Sequence, residues 1–297
     1  MKFTKMQGCG NDYVYVNGFT EKLSQEEKPE LVRRLSDRHF GIGGDGVIFI
    51  NPSTEADFEM EMFNADGTRA EMCGNGIRCV AKFVYDKGLT DSQHITVVSA
   101  GKVKYLDLTV EKDLEMPNDR GVVKKVRVNM GSPILEPAQI PVVADGKLVT
   151  AGKNVADGKQ VVNEPILVKG REYRMTCVSM GNPHAVIFTQ GVAGLDLEKI
   201  GPGFECHERF PKRVNTEFVE VTGKKNVFMR VWERGTGETL ACGTGACAVA
   251  VACVLNGLTE SKITVKLLGG ELEIEWDREN NIVYMTGPAA TVFEGEV

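Results

Sequence analysis

The chain is short of the residues that build most metal and redox centres. Only four histidines occur in 297 residues, His39, His94, His184 and His207, and the eight cysteines include no Cys-x-x-Cys pair. Cys73 and Cys79 lie six positions apart and Cys242 and Cys247 five, unlike zinc or dithiol spacings. Cys206 and His207 are adjacent, a poor chelating geometry. No metal site is expected. Lysine and arginine form no run and the formal net charge is -6, which argues against nucleic-acid and anionic-membrane partners. The longest apolar run, residues 246–255, is about half of the roughly 20 residues that cross a bilayer. The stretch Met1-Lys2-Phe3-Thr4-Lys5-Met6-Gln7 lacks the apolar segment of a secretion signal. A cytoplasmic protein is expected, and with it no disulfide framework.

What is present suits a packed core. The chain is 42% apolar and 26% charged, and its length fits one large or two ordinary domains. Period-two alternation predicts strands at 57–62, with Phe58, Met60 and Met62 on one face, and at 271–276, with Leu272, Ile274 and Trp276. Such patterns suit sheets with one wet side. Further strands are expected at 47–50, 103–110, 125–128, 171–178, 214–221, 227–232 and 282–286. Pro29 to Leu35 reads as a short helix. Ile77, Val80, Ala81 and Val84 fall at helical spacing, so 75–87 reads as an amphipathic helix ending at Lys87-Gly88. Residues 244–255 are nearly all Ala, Val and Cys and stop at Asn256-Gly257; a helix apolar all round is a buried one.

An internal repeat organises these elements. Cys73-Gly74-Asn75-Gly76 opens one helix and Cys242-Gly243-Thr244-Gly245 the other, with Val80-Ala81 matching Val249-Ala250. Gly10-Asn11 and Gly181-Asn182 each precede a strand, 62 residues (11 to 73) and 60 residues (182 to 242) before their cysteine. Nine positions before each cysteine stands a polar side chain, Asn64 and Glu233. Two related halves follow, 1–120 and 121–287, the first completed by 288–297. The break falls near 112–121, where Glu, Lys, Asp, Pro and Asn cluster. Residues 144–158 read as a surface hairpin in the second half.

A cysteine at a helix N-terminus meets unpaired N–H groups and the positive end of the helix dipole, which favour thiolate. The glycine after it lets a ligand carboxylate approach the same donors. Inverting a stereocentre needs a base on one face of the carbon and an acid on the other. Two thiols exchange these roles with direction, and their ordinary pKa of about 8.5 suits proton transfer. The carbanion formed from an amino acid needs stabilising, and helix N-termini aimed at its carboxylate supply that. No pyridoxal phosphate lysine can be identified, and none is needed; no cofactor is expected.

Several stretches together resemble the diaminopimelate epimerase family over essentially the whole chain. They are Met6-Gln7-Gly8-Cys9-Gly10-Asn11-Asp12, Arg38-His39-Phe40-Gly41-Ile42-Gly43, Asn64-Ala65-Asp66-Gly67, Cys73-Gly74-Asn75-Gly76-Ile77-Arg78-Cys79, Gly181-Asn182-Pro183-His184, Arg213-Val214-Asn215-Thr216, and Glu233-Arg234-Gly235 running on to Ala241-Cys242-Gly243-Thr244-Gly245. The resemblance implies a mixed α/β fold of two pseudo-symmetric domains, each a curled mixed sheet around a central helix. It implies a homodimer that interconverts L,L- and meso-diaminopimelate on the route to lysine and peptidoglycan. By the same resemblance Cys73 and Cys242 are the acid/base pair, and His184 and Glu233 assist them. Asn11, Asn64, Asn182, Asn215 and Arg234 bind substrate, and Gly74-Asn75 and Gly243-Thr244 offer backbone donors to the reacting carboxylate. The chemistry is compatible: Arg234 suits a distal carboxylate, the asparagines donate and accept without adding charge, and Glu233 suits an α-ammonium.

The chain departs from the family at Gly46, where some members carry a glutamine ligand; that contact is not carried over. Gly41-Ile42-Gly43-Gly44-Asp45-Gly46 also fits the G-x-G-x-x-G string. A helix precedes it and a strand follows, the reverse of the dinucleotide context, so no nucleotide is expected. The competing readings are a racemase of another amino acid, similar to proline racemase, a thiol redox protein and a catalytically silent amino-acid-binding protein.

Overall fold

The computed structural model describes residues 1–70, 73–112, 121–143 and 160–297. Most of the expected break at 112–121 and the whole of the expected hairpin at 144–158 lie outside the described residues. The chain divides into two compact units, Met1–Asn129 with Thr286–Val297, and Met130–Met285.

In the first unit β1 (Lys2–Gly8) turns through Cys9 and Gly10, both at positive φ, into antiparallel β2 (Asn11–Asn17). Helix α1 (Lys28–Ser36) crosses over to β3 (Gly46–Asn51), which lies parallel to β2. Strand β4 (Phe58–Asn64) returns antiparallel to β3, and β5 (Arg69–Ala70) closes a short hairpin. Then come α2 (Gly74–Asp86), β6 (His94–Ser99) parallel to β4, β7 (Lys102–Glu111) and β8 (Val122–Gly131). Val32 and Leu35 of α1 pack on Val14, Val16, Val47, Phe49 and Phe63.

The second unit repeats this order. Strand β9 (Glu164–Val168) precedes the antiparallel pair β10 (Arg171–Ser179) and β11 (Pro183–Phe188). Helix α3 (Leu197–Glu205) crosses over to β12 (Asn215–Gly223), parallel to β11, and β13 (Asn226–Glu233) returns. Short β14 (Gly237–Thr239), α4 (Gly243–Leu255), β15 (Lys262–Leu267) parallel to β13, β16 (Gly270–Asp277) and β17 (Ile282–Pro288) follow. Strand β18 (Ala290–Glu296) belongs to the first unit, antiparallel to β1. Each unit thus places mixed sheet around one helix that begins after a cysteine. Both of these helices close on a left-handed glycine, Gly88 and Gly257, with the same pair of backbone bonds around it.

Two expectations of wet faces are corrected. Gly74 through Tyr85 of α2 is buried all round, Arg78 and Lys82 included. The Arg78 guanidinium donates to the carbonyls of Gly74 and Pro288, each at 3.1 Å, and Lys82 reaches Asp86 at 2.5 Å and the Val123 carbonyl. On β4 the polar face is covered at Glu61, which is buried and ion-paired with Lys28 at 2.5 Å, while Glu59 stays half-buried. Burial would raise the Glu61 carboxyl, but Lys28 and Asn51 outweigh it and hold it below its ordinary value. Strand β16 keeps its predicted wet side, with Glu271 and Glu273 exposed opposite Leu272 and Ile274.

Helix α3 is not among the expected elements, and Gly201, Pro202 and Gly203 lie inside it. Asp196 caps it by accepting from the Lys199 N–H at 3.2 Å. Gly201 is there for packing: a Cβ at that position would lie 2.3 Å from Trp232 Cδ2. In Gly201→Ala the gain of about 1 kcal/mol in helix propensity should be outweighed by overpacking of about 1–3 kcal/mol. Urea denaturation should show net destabilisation; a more stable variant would contradict the packing argument.

Candidate active site

Cys73 and Cys242 are N-cap residues with nearly the same backbone, φ/ψ of -127/114 and -121/110. Each sulfur accepts the N–H three residues on, Gly76 at 3.3 Å and Gly245 at 3.4 Å. A side chain at either position would crowd the end of a neighbouring one. A Cβ at Gly76 would meet Ile48 at 2.8 Å, and one at Gly245 would meet Glu217 Oε1 at 2.6 Å. Gly74-Asn75 and Gly243-Thr244 form the first turns, so each thiol stands beside the first backbone N–H groups of its helix.

The surroundings of the two thiols differ. In the first unit Cys73 Sγ donates to Asn11 Oδ1 at 2.9 Å, while Asn11 Nδ2 donates to Asp45 Oδ2 at 2.6 Å. Asp45 is fixed by Arg38, which also grips Asp12, and Asp12 pairs with Lys5. The amide of Asn11 therefore presents its oxygen to the thiol. Asn64 stands exposed at the end of β4, beside Gly46 in the ladder, with its amide on Thr68 Oγ1 at 3.1 Å. Gly46 itself admits no side chain in this backbone: a Cβ would lie 1.9 Å from the Phe63 carbonyl oxygen. The Gly-rich loop runs from α1 into β3, as expected, and its Asp45 is what orients Asn11.

In the second unit the thiol is among carboxylates. Glu233 lies close enough for its charge to act on Cys242, and it accepts from Thr239 Oγ1 at 2.5 Å. Thr244 Oγ1 lies 3.5 Å from the sulfur. Burial pushes the Cys242 thiol well above its ordinary value, and the charges of Glu233 and Glu217 push the same way. Burial also raises Glu233. His184 is fully buried, with Nδ1 2.7 Å from Glu217 Oε1 and Nε2 3.0 Å from Asn182 Oδ1. Asn215 donates to the Pro183 carbonyl and accepts from the Arg234 N–H, at 3.0 and 2.9 Å, leaving one amide N–H to spare. The Arg234 side chain is exposed and rests on the Lys212 carbonyl at 3.1 Å.

Each unit therefore assembles its own share of the expected residues: Asn11, Cys73, Gly74 and Asn75 with Asn64 nearby in the ladder, and Asn182, His184, Asn215, Glu233, Arg234, Cys242, Gly243 and Thr244. Asp45, Glu217 and Glu205 were missed. Glu205 accepts from Trp232 Nε1 at 2.8 Å and from the Gly235 N–H at 2.9 Å, so it pins both ends of the Glu233-Arg234 step. No spacing rule pointed to them; each is found only through its partner. Burial pushes Cys79 to about 11 and Cys253 to about 12, and both sit inside the helices as small, largely apolar residues.

Asn215→Ala should leave the Arg234 N–H and Pro183 carbonyl without their buried partner. A loss of about 1–3 kcal/mol per unsatisfied group is expected in chemical unfolding; an unchanged midpoint would contradict the assigned bonds.

The sequence model of diaminopimelate epimerase matches residues 3–135 and 176–292. A diaminopimelate epimerase of Agathobacter rectalis is 56% identical over 100% of this chain and 99% of its own length, and that of Acetivibrio thermocellus 55% over 100% and 98%. Among solved structures, a hydroxyproline epimerase from Agrobacterium vitis with bound trans-4-hydroxy-L-proline is similar in fold, with a TM-score of 0.66 at 13% identity over 100% of this chain and 90% of that one. No helix of the described residues is long and apolar enough to cross a membrane. With a family-wide sequence match laid over two duplicated thiol caps, the chain belongs to the diaminopimelate epimerase family.

Proposed function

We propose that this chain interconverts L,L- and meso-2,6-diaminopimelate by a two-base proton transfer between Cys73 and Cys242. The observation that carries the mechanism is the matched pair of thiol caps, each sulfur at a helix N-terminus with a glycine turn beside it. One thiolate removes the α-proton, and the other thiol delivers its proton to the opposite face of the carbon. Negative charge that develops on the reacting carboxylate is met by the N–H groups of Gly74-Asn75 and Gly243-Thr244. Arg234, exposed and held only by a carbonyl, is free to turn its fork to the distal carboxylate. Asn11, Asn64, Asn182 and Asn215 supply neutral contacts to the ammonium and carboxylate groups, and Glu233 and His184 flank the Cys242 side. No resident cofactor enters this scheme. A homodimer in the cytoplasm, acting on the route to lysine and peptidoglycan, belongs to the same proposal; sedimentation of the purified protein tests the dimer.

Serine is a better N-cap than cysteine, so Cys73→Ser and Cys242→Ser should fold at least as well as the parent. Neither should epimerise: each removes an acid/base group worth about 10²–10⁴-fold or more. Chiral chromatography of L,L-diaminopimelate incubated with the reduced proteins reads this directly. Wild-type activity on diaminopimelate with both variants silent is the expected result; an active variant overturns the two-thiol assignment. Arg234→Lys keeps the charge and loses the fork. Its KM should rise about 10–100-fold, with kcat less affected, because the distal carboxylate does not change during reaction.

A further inference from the structure

Glu217 is a second buried carboxylate on the Cys242 side that the scheme above does not use. It is fully buried on β12. Its Oε1 lies 2.7 Å from His184 Nδ1, and its Oε2 has no hydrogen-bond partner among the described residues. The same Oε1 presses on the first turn of α4. A Cβ placed on Gly245 would be 2.6 Å from it and 3.3 Å from Cys242 Sγ, which puts the carboxylate oxygen within about 6 Å of the sulfur. At that range a like charge strongly disfavours a thiolate.

We propose that Glu217 is a positioning residue for the second half of the site: it orients His184 and sets a buried negative charge beside Cys242, which keeps that cysteine in its thiol form in the empty enzyme. The proposal rests on the two-thiol reading and goes one step further, naming the group that distinguishes the two thiols. The other groups facing Cys242 are accounted for. From β13 the Glu233 carboxylate sets its charge on the thiol, from β11 His184 pairs with Glu217, and from β14 Thr239 holds Glu233. From α4 itself come the Thr244 hydroxyl and the Gly245 N–H, which favour thiolate. Glu217 and Glu233 oppose that pair. Cys73 has the same cap, but an amide oxygen in place of the carboxylate. An ammonium-bearing substrate entering beside the two carboxylates would offset their charge, so release of the Cys242 proton is coupled to occupancy.

The test is the pH dependence of iodoacetamide labelling of the reduced, substrate-free enzyme, with each cysteine followed separately by peptide mass spectrometry. The midpoint reports ionisation whatever the access of the reagent. In wild-type protein the Cys242 midpoint should lie above the ordinary thiol value of about 8.5. In Glu217→Gln, which keeps a hydrogen-bonding group opposite His184 but no charge, it should fall, and labelling at fixed pH below the midpoint should rise several-fold while Cys73 stays put. Glu217→Asp, which keeps the charge, should label like wild type. An unmoved Cys242 midpoint in Glu217→Gln, or equal movement of Cys73, overturns the proposal. Should that variant not fold, a wild-type Cys242 midpoint at or below the ordinary value overturns it as well. The readout needs no turnover: absence of epimerase activity alongside a shifted midpoint would remove the proposed reaction and leave the placement of Glu217 standing.

Discussion

The structure depends on a sulfur atom doing the work of a helix cap. A thiol is a weaker acceptor than the hydroxyls and carboxylates that usually close a helix start, so the cap must be supported by what surrounds it. The third residue of each helix is a glycine, at a position where a Cβ would crowd a side-chain end from the neighbouring strand, Ile48 or Glu217. The glycine immediately after each cysteine keeps the first turn open. Each helix is then buried by its unit's sheets, so the start of the helix, with its cysteine, becomes a fixed point. A reactive group needs such rigidity more than it needs a strong cap.

From that fixed point the two halves diverge in charge. Among the described residues, the first sets against its thiol a neutral amide whose orientation is dictated by a chain of ion pairs running through Asp45, Arg38, Asp12 and Lys5. The second surrounds its thiol with carboxylates and a buried histidine. A duplicated scaffold supplies the geometric equivalence that inversion of a stereocentre demands. Under the proposed two-thiol scheme, the unequal neighbours would set acid and base apart before substrate arrives.

Much of this was legible in the residues. The repeat of Cys-Gly-x-Gly with an upstream Gly-Asn located both helix starts, since glycine, asparagine and cysteine at fixed offsets are constrained by backbone geometry that sequence carries directly. The all-apolar stretch before Asn256-Gly257 identified a buried helix because no polar face exists there. The charged positions misled. Arg78, Lys82 and Glu61 looked like solvent-facing residues and are buried, because partners far away in sequence satisfy them: the Pro288 and Val123 carbonyls for the two cations and the Lys28 ammonium for Glu61. Helix α3 was hidden for a similar reason: Gly201 and Pro202 break a helix in isolation, and only the indole of Trp232 shows why a glycine is needed. Asp45, Glu205 and Glu217 belong to the same class, since long-range partners define them and periodicity does not.

The most direct measurement of the central claim is where solvent hydrogen enters. L,L-diaminopimelate is incubated with the reduced enzyme in D2O and sampled at low conversion, with the α-positions of product and of recovered substrate read separately by NMR. Two thiols acting on opposite faces predict deuterium in the meso product and essentially none in the remaining L,L substrate, because the proton taken by one sulfur is not the one returned by the other. Product that retains the substrate's own hydrogen, or recovered L,L substrate that is deuterated as fast as product forms, would point to a single base and contradict the account.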